Sequence, residues 1–561
     1  MPATRPLATA IHHRLAAMPG LVLARYLERG EAETAALTGA EIDDAARRVA
    51  SGLAAAGLAE AGLGGKRALL IAETGVEFLH AITGCLYAGV VAIPAPEPRP
   101  GASLERLEDI AASSGAAAIL ASAKVAAELS RRARPDSLLQ TLPLFEVGTL
   151  AAFAPADDCP GFSVAADAPV IIQYSSGSTG TPRGVVLDSA CVLANIAMAS
   201  RGMDVGQRGE RELLINWMPH YHDMGLIGKI LTPLVNGLEV VHMSPLAFVQ
   251  RPARWLQAIS RYRATTSGAA AFALDLCTAR VPDGVIDGLD LSSWRTAFCG
   301  AEPVFASTLA GFRSRFARAG LRPEAVFTCY GLAETSLYAA GAHGPVVAEE
   351  APDASSRAPC WLDSASRASL RIVWRDGAVM AEGEEGEIWV AGESVAQGYF
   401  GEPEATRATF GARLVPDDGR AYLRTGDLGR IAGGALTVTG RMKDVLICAG
   451  VNVAAVDVER FAARAFPDMV PGGAAAFQDE SESGGALVLL VERQRGAVQQ
   501  MEDADAVRAI RAAVVAALGV TLDEIAIVRP GSLPRTTSGK IRRSAARQDW
   551  VSARTQLAQA S

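Results

Sequence analysis

The chain has 561 residues, half of them hydrophobic and a fifth charged, as expected of a soluble globular protein with more than one domain. Its net charge of −8 speaks against binding nucleic acid or an anionic membrane, both of which favour basic surfaces. No apolar stretch is long enough to span a bilayer, and Met1-Pro-Ala-Thr-Arg-Pro6 is not followed by a signal-peptide core, so a cytoplasmic location is expected.

In chain order, the apolar spacing predicts a helix over 41–56, strands over 68–72 and 90–94, a loop over 94–101 and a helix over 104–114. A strand over 117–121, a loop over 155–169 and a buried strand over 169–173 follow. This alternation predicts an α/β fold with largely parallel sheets. A polar loop is expected over 349–369, and from about residue 382 the texture changes. Short antiparallel strands are predicted over 386–390, 421–424 and 435–438, and Gly440-Arg-Met-Lys-Asp444 then punctuates the chain. The remainder predicts helices over 455–464 and 504–517 and strands over 486–492 and 524–528, enough for a small α+β domain. The expected division is a large domain of residues 1–440 and a small one of residues 441–561. No repeat or heptad pattern is present.

The eight cysteines form no C-x-x-C pair, so neither a zinc ribbon nor a redox dithiol is indicated, and they read as reduced core residues. Lysine is scarce, with only Lys66, Lys124, Lys229, Lys443 and Lys540.

The densest chemistry lies in Tyr174-Ser-Ser-Gly-Ser-Thr-Gly-Thr-Pro-Arg-Gly184. Glycines let the backbone approach an anion, while the hydroxyls of Ser175, Ser176, Ser178 and Thr179 and the guanidinium of Arg183 bind phosphate oxygens. A Walker A loop would need Lys followed by Ser or Thr after its last glycine, so this is a different nucleotide-phosphate loop. A Ser/Gly linker has similar composition, but the tight apolar flanks argue against one.

Further along, Cys329-Tyr-Gly-Leu-Ala-Glu-Thr335 carries one carboxylate, Glu334. Thr425-Gly-Asp427 and Gly440-Arg441 offer a carboxylate able to accept from ribose hydroxyls and a guanidinium, while Thr536-Thr-Ser-Gly-Lys-Ile-Arg-Arg543 holds a glycine-flanked lysine. Each alone also reads as an ordinary turn, surface ion pair or charged tail.

The ordered set Ser178 to Gly184, Gly300-Ala-Glu-Pro303, Tyr330 to Thr335, Thr425 to Asp427, Gly440 to Asp444 and Ser538 to Arg543 resembles the adenylate-forming superfamily of acyl-CoA ligases, adenylation domains and luciferases, across nearly the whole chain. Within it, three runs resemble fatty acyl-AMP ligases: residues 84–96, Trp217-Met-Pro-His-Tyr-His-Asp-Met-Gly-Leu226 and residues 243–255.

The resemblance implies an N-terminal domain of several subdomains with mixed sheets and a small barrel-like part, joined by a hinge at Lys443 to the small C-terminal domain. It implies ATP and Mg²⁺ as cofactors, a fatty acid as substrate, and acyl-adenylate as the intermediate. An acyl carrier protein supplied in trans would accept the acyl group; free CoA is the alternative acceptor, and a catalytically silent nucleotide or acyl-adenylate binder is a second alternative.

In this reading Ser175, Ser176, Gly177, Ser178, Thr179, Gly180 and Arg183 hold the β- and γ-phosphates, and Glu334 helps hold Mg²⁺. Gly300, Ala301, Glu302, Tyr330, Gly331 and Thr335 contribute to the ATP site, with Tyr330 and residues 300–302 at the adenine, and Asp427 and Arg441 hold the ribose. Lys540 reaches the reacting carboxylate and α-phosphate, and His222 stands at the acyl pocket. His220 and His222 without further His or Cys nearby make a poor zinc site.

Three positions depart from the family pattern. Arg183 stands where most CoA ligases have Lys, Ala455 where Pro is usual, and residues 340–370 are short for the insertion that disfavours CoA in fatty acyl-AMP ligases.

Overall fold

The structure, a computed structural model, describes residues 5–59, 66–98, 101, 103–175, 182–209, 211–346, 356–448, 451–479, 485–494, 500–535 and 540–560. Two seven-stranded sheets form the larger part. In the first the strands run Val326–Thr328, Thr296–Gly300, Thr266–Ala270, Leu213–Asn216, Glu239–Met243, Val22–Glu28 and Ala32–Thr38. All neighbours are parallel except the last pair. In the second the order is Gly398–Tyr399, Arg183–Asp188, Pro169–Ser175, Val91–Pro94, Arg67–Ile71, Ala118–Ala121 and Leu144–Glu146. Neighbours among its first three strands are antiparallel and the remaining pairs are parallel. Strands covered on both faces need continuous apolar runs, which is why Leu69, Leu70 and Ile71 are all buried.

Helices join the sheets into one core that includes Val49, Phe78, Ile82, Ile171 and Val185. Helix Gly39–Ala55 starts in a capping box, Thr38 accepting from the Glu41 N–H while the Glu41 carboxylate accepts from the Thr38 N–H. It crosses helix Val76–Ala88 so closely that a Cβ on Gly84 would stand 2.3 Å from Val49 Cγ1. The glycine of the run over 84–96 is thus a packing requirement.

The third sheet is antiparallel, ordered Cys360–Trp361, Ala435–Arg441, Leu423–Ala432, Gly386–Val390 and Leu370–Val373. Among the described residues its two end strands do not pair with each other, so the barrel-like part implied by the resemblance is an open five-stranded sheet. The strand expected over 421–424 starts at Leu423 and runs on to Ala432. The loop expected over 349–369 contains strand Cys360–Trp361 and helix Ser364–Ser369, whose start is fixed by Asp363 accepting from the Ser366 N–H. In the loop expected over 155–169, Pro160–Ser163 forms a 3₁₀ turn.

The smaller C-terminal part has a hairpin, Val445–Cys448 with Val451–Ala454, and a three-stranded sheet of Met469–Asp479, Ala486–Arg493 and Glu524–Val528. Helices Ala455–Ala465 and Asp503–Leu518 cover that sheet through Val458, Phe466, Ile510 and Val514. Two arginines help dock it on the larger part. Arg357 pairs with Asp457 at 2.8 Å, and Arg460 donates to the Ser307 hydroxyl at 2.7 Å. Both guanidiniums lie over the Phe305 ring, 4.2 and 4.5 Å from its centre.

Candidate active site

The two parts enclose one cleft of about 3020 Å³. On one side, strand Pro169–Ser175 turns back into Arg183–Asp188 with Ser175 opposite Arg183. Ser176, Gly177, Ser178, Thr179 and Gly180 lie between them, outside the described residues. Arg183 enters the cleft, its Nε 3.3 Å from Glu402 Oε2 and its guanidinium 5.2 Å from the centre of the Tyr399 ring.

Tyr399 in turn donates to Glu334 Oε1 at 2.9 Å. Glu334 rides on the 3₁₀ turn Ala333–Thr335, and burial pushes its carboxyl above the usual range while the Tyr399 hydrogen bond opposes that shift. Gly331 comes just before this turn, where a Cβ would stand 1.7 Å from the Leu337 carbonyl oxygen, so no side chain fits.

Opposite, Asp427 and Arg441 face each other in register across two antiparallel strands. The Arg441 Nε donates to Asp427 Oδ1 at 2.7 Å, and the Tyr330 hydroxyl donates to Oδ2 at 2.8 Å. The Asp427 charge holds the Arg441 guanidinium above its ordinary value, and burial raises the Tyr330 hydroxyl. Asp427 thus presents a carboxylate with both oxygens fixed by groups from distant segments.

The lysine from the small domain closes the site. The Lys540 ammonium donates to the carbonyl of Ala301, a residue held at φ +68 at the end of strand Thr296–Gly300. Burial lowers the Lys540 ammonium, and the carboxylates of Glu302 and Asp223 act to keep it charged. Glu302 is itself raised by burial, with Lys540 opposing, and its Oε1 accepts from the Phe272 N–H at 3.0 Å. His222 stands next to Asp223, with Nδ1 2.5 Å from Oδ1. Burial works against ionising Asp223, yet His222 and the Met224 N–H hold it below the usual carboxylate range.

Arg183, His222, Ala301, Glu302, Tyr330, Gly331, Glu334, Asp427, Arg441, Lys443 and Lys540 therefore line the same cleft. Two expected residues do not. Thr335 is fully buried behind the cleft wall, and its hydroxyl donates to the Leu332 carbonyl at 2.9 Å. Gly300 ends its strand behind the wall, where a Cβ would meet Cys329. His220 is buried beside His242, with 3.2 Å between ring nitrogens, and burial pushes it down to about 3, as for a packed neutral imidazole. All eight cysteines are free, six of them buried.

Asp223, Tyr399 and Glu402 were not singled out from the sequence. Asp223 at least lies in the quoted run from Trp217 to Leu226. Tyr399 is 65 residues from Glu334, and no local signal links the two.

Residues 14–400 match the AMP-binding enzyme family, and residues 443–560 match the AMP domain of Disco-interacting protein 2-like proteins. The chain belongs to the AMP-binding enzyme family, whose adenylate-forming members use ATP. It is 34% identical over 551 residues to the medium-chain fatty acid–acyl carrier protein ligase JamA of Moorena producens (strain JHB), covering 94% of this chain and 92% of that one. A solved structure from a study of fatty acyl-adenylate ligases from E. coli and L. pneumophila is similar at TM-score 0.83 and 29% identity, over 99% of both chains. A fatty acyl-adenylate ligase from L. pneumophila in complex with acyl adenylate and pyrophosphate is similar at TM-score 0.72 and 30% identity, over 97% of this chain and 96% of that one.

Proposed function

We propose that this protein activates a fatty acid with ATP and passes the acyl group to the phosphopantetheine thiol of an acyl carrier protein. The observation that carries this reading is the docked lysine: Lys540 meets Ala301 and Glu302 in the cleft that also holds Asp427, Arg441 and Glu334. Fatty acid–carrier ligase and fatty acyl-adenylate ligase relatives support both the substrate class and the acceptor.

In the first step a carboxylate oxygen bonds to the α-phosphorus and pyrophosphate leaves with the bonding pair. Two anions must meet, so screening and alignment dominate the barrier. Lys540 supplies a movable charge between the carboxylate and the α-phosphate, with His222 near the acyl end. Arg183 and the loop over 175–180 hold the β- and γ-phosphates. Asp427 accepts from the ribose hydroxyls with Arg441 beside it, and Tyr330 with Ala301, Glu302 and Gly331 lines the adenine. In the second step a thiol sulfur bonds to the acyl carbon, AMP leaves with the bonding pair, and the thiol proton passes to solvent.

Glu334 fits a magnesium site. Its carboxylate lines the same cleft as Arg183, as an ion held by one carboxylate plus substrate phosphates requires. Bound there, Mg²⁺ would neutralise phosphate charge. Tyr399 stabilises the charged form of Glu334, so Tyr399→Phe raises the Glu334 pKa further. Metal holding needs the carboxylate and is lost as pH falls through that pKa. The acid limb of pyrophosphate release therefore shifts to higher pH in Tyr399→Phe; an unmoved limb contradicts the role given to Glu334.

Residues 1–440 and 441–561 act as separate bodies, and Lys443, in the 3₁₀ turn Met442–Asp444, is the hinge between half-reactions. Proline at 443 restrains this turn and its preceding residue. Lys443→Pro should lower thioester transfer about tenfold more than adenylation; equal losses contradict the rotation.

No helix among the described residues is long and apolar enough to cross a membrane, and the reaction is assigned to the cytoplasm. The deciding experiment offers purified protein, ATP and Mg²⁺ fatty acids of varied length, with holo-carrier protein or CoA. Acyl-carrier product, with acyl-adenylate accumulating when only CoA is present, is expected. Acyl-CoA formed at a comparable rate would instead favour the CoA-ligase reading, which the short segment over 340–370 leaves as the second choice.

A further inference from the structure

The cleft continues from the reacting centre into the larger part of the molecule, between helix Ser189–Gly202, the turn Ile227–Leu231 and strand Thr296–Gly300. Met203, Gly228, Phe298, Cys329 and Leu337 line it there, an apolar wall of the kind an alkyl chain fills. One side chain does not belong on such a wall. Lys229 also lines the cleft, and it is only 2% exposed.

The described residues around it give it no acceptor. Among the described residues its ammonium makes no hydrogen bond, and its ring contact is with Phe298, 4.6 Å from the centroid. Among the described residues no carboxylate acts on it; Cys329, itself raised by burial, acts on its charge, and Lys229 in turn helps hold the buried His242 down. Burial lowers Lys229 to about 7. A ring face engages the charge but leaves N–H donors unpaired, and an unpaired donor in an apolar site is costly. Lys229 also sits in a π-helical turn, Ile227–Leu231, a distortion that natural helices concentrate at functional sites.

We infer that this arm of the cleft is built for a fatty acid whose chain carries an oxygen acceptor, an oxo or hydroxyl group or a second carboxylate, that Lys229 hydrogen-bonds. This rests on the fatty-acid reading proposed above. A plain alkyl chain displaces water from the ammonium and returns nothing, whereas an oxygenated chain pairs it. A site with a buried donor discriminates strongly against substrates lacking the matching acceptor. Lys229 is thus a specificity residue at the non-reacting end of the substrate, apart from Lys540, which serves the reacting end.

The test measures pyrophosphate release by the full-length protein with ATP and Mg²⁺. The acids are dodecanoate, a positional series of hydroxy- and oxododecanoates, and dodecanedioate. At least one oxygenated acid should exceed dodecanoate in kcat/KM by about ten- to a hundredfold. Preference for dodecanedioate identifies an anionic partner, and preference for a hydroxy or oxo acid a neutral one. Lys229→Met should shift the ratio back towards dodecanoate by a similar factor. Dodecanoate as the best substrate of the unmodified protein overturns the inference, as does an unchanged ratio in a folded Lys229→Met. The unmodified protein decides by itself if that variant does not fold. No release with any acid would bring down the fatty-acid reading itself, and the inference with it.

Discussion

Lys540→Ala should reduce acyl-adenylate formation by at least about a thousandfold, the scale lost when a preorganised charge is removed from a transition state. The side chain makes its contact from the small domain, donating to the Ala301 carbonyl while the carboxylates of Glu302 and Asp223 act to keep it charged. Its removal leaves Asp427, Arg441 and Tyr330, the groups proposed to hold the nucleotide, joined to one another, so ATP binding should persist. The split between half-reactions is the sharper expectation. Acyl-adenylate supplied from outside should still be consumed by holo-carrier protein at close to the unmodified rate, since the lysine is assigned to the first step alone. Pyrophosphate release at the normal rate would remove Lys540 from the mechanism; equal loss in both steps would make it a general binding residue.

Asp427→Ala should raise the KM for ATP about a hundredfold, corresponding to about 3 kcal/mol for a charged hydrogen-bond acceptor taken from a buried site. The substitution removes the acceptor of two donors at once, the Arg441 guanidinium and the Tyr330 hydroxyl. Because Asp427 is proposed to hold the ribose through both half-reactions, transfer from supplied acyl-adenylate should also weaken, in contrast to Lys540→Ala. Asp427→Asn keeps the shape, loses the charge and should fall between. The measurement is the ATP dependence of pyrophosphate release, with a thermal melt to verify folding. An unchanged KM for ATP in a folded variant would assign Asp427 to holding the sheet instead of the nucleotide.

Much of the fold was legible because its signals are local. Strand Arg67–Ile71, helix Gly39–Ala55 with its capping box, and the antiparallel texture after residue 382 all follow from side-chain period and end signals within a few residues. The misread places share a cause. Helix Ser364–Ser369 is short and polar, so no apolar period marks it, and whether the third sheet closes depends on pairing between its end strands Cys360–Trp361 and Leu370–Val373, which side-chain period does not encode.

The site divides in the same way. The motif order carried Glu334, Asp427, Arg441 and Lys540, but Thr335 lies beside Glu334 in sequence and behind it in space, since the 3₁₀ turn directs neighbouring side chains apart.

The sequence by itself determined the class of fold, the phosphate-loop chemistry and membership of the adenylate-forming enzymes, because hydroxyls, glycines and charges at fixed short spacings are properties of the chain alone. Only the tertiary structure decided which residues meet. Lys540 reaches Ala301 across 239 residues, and Tyr399 reaches Glu334 across 65. Among the described residues Lys229 is left without a hydrogen bond against Phe298. Such contacts, and the absence of an acceptor, are set by how sheets and helices pack, and a linear pattern holds no record of that.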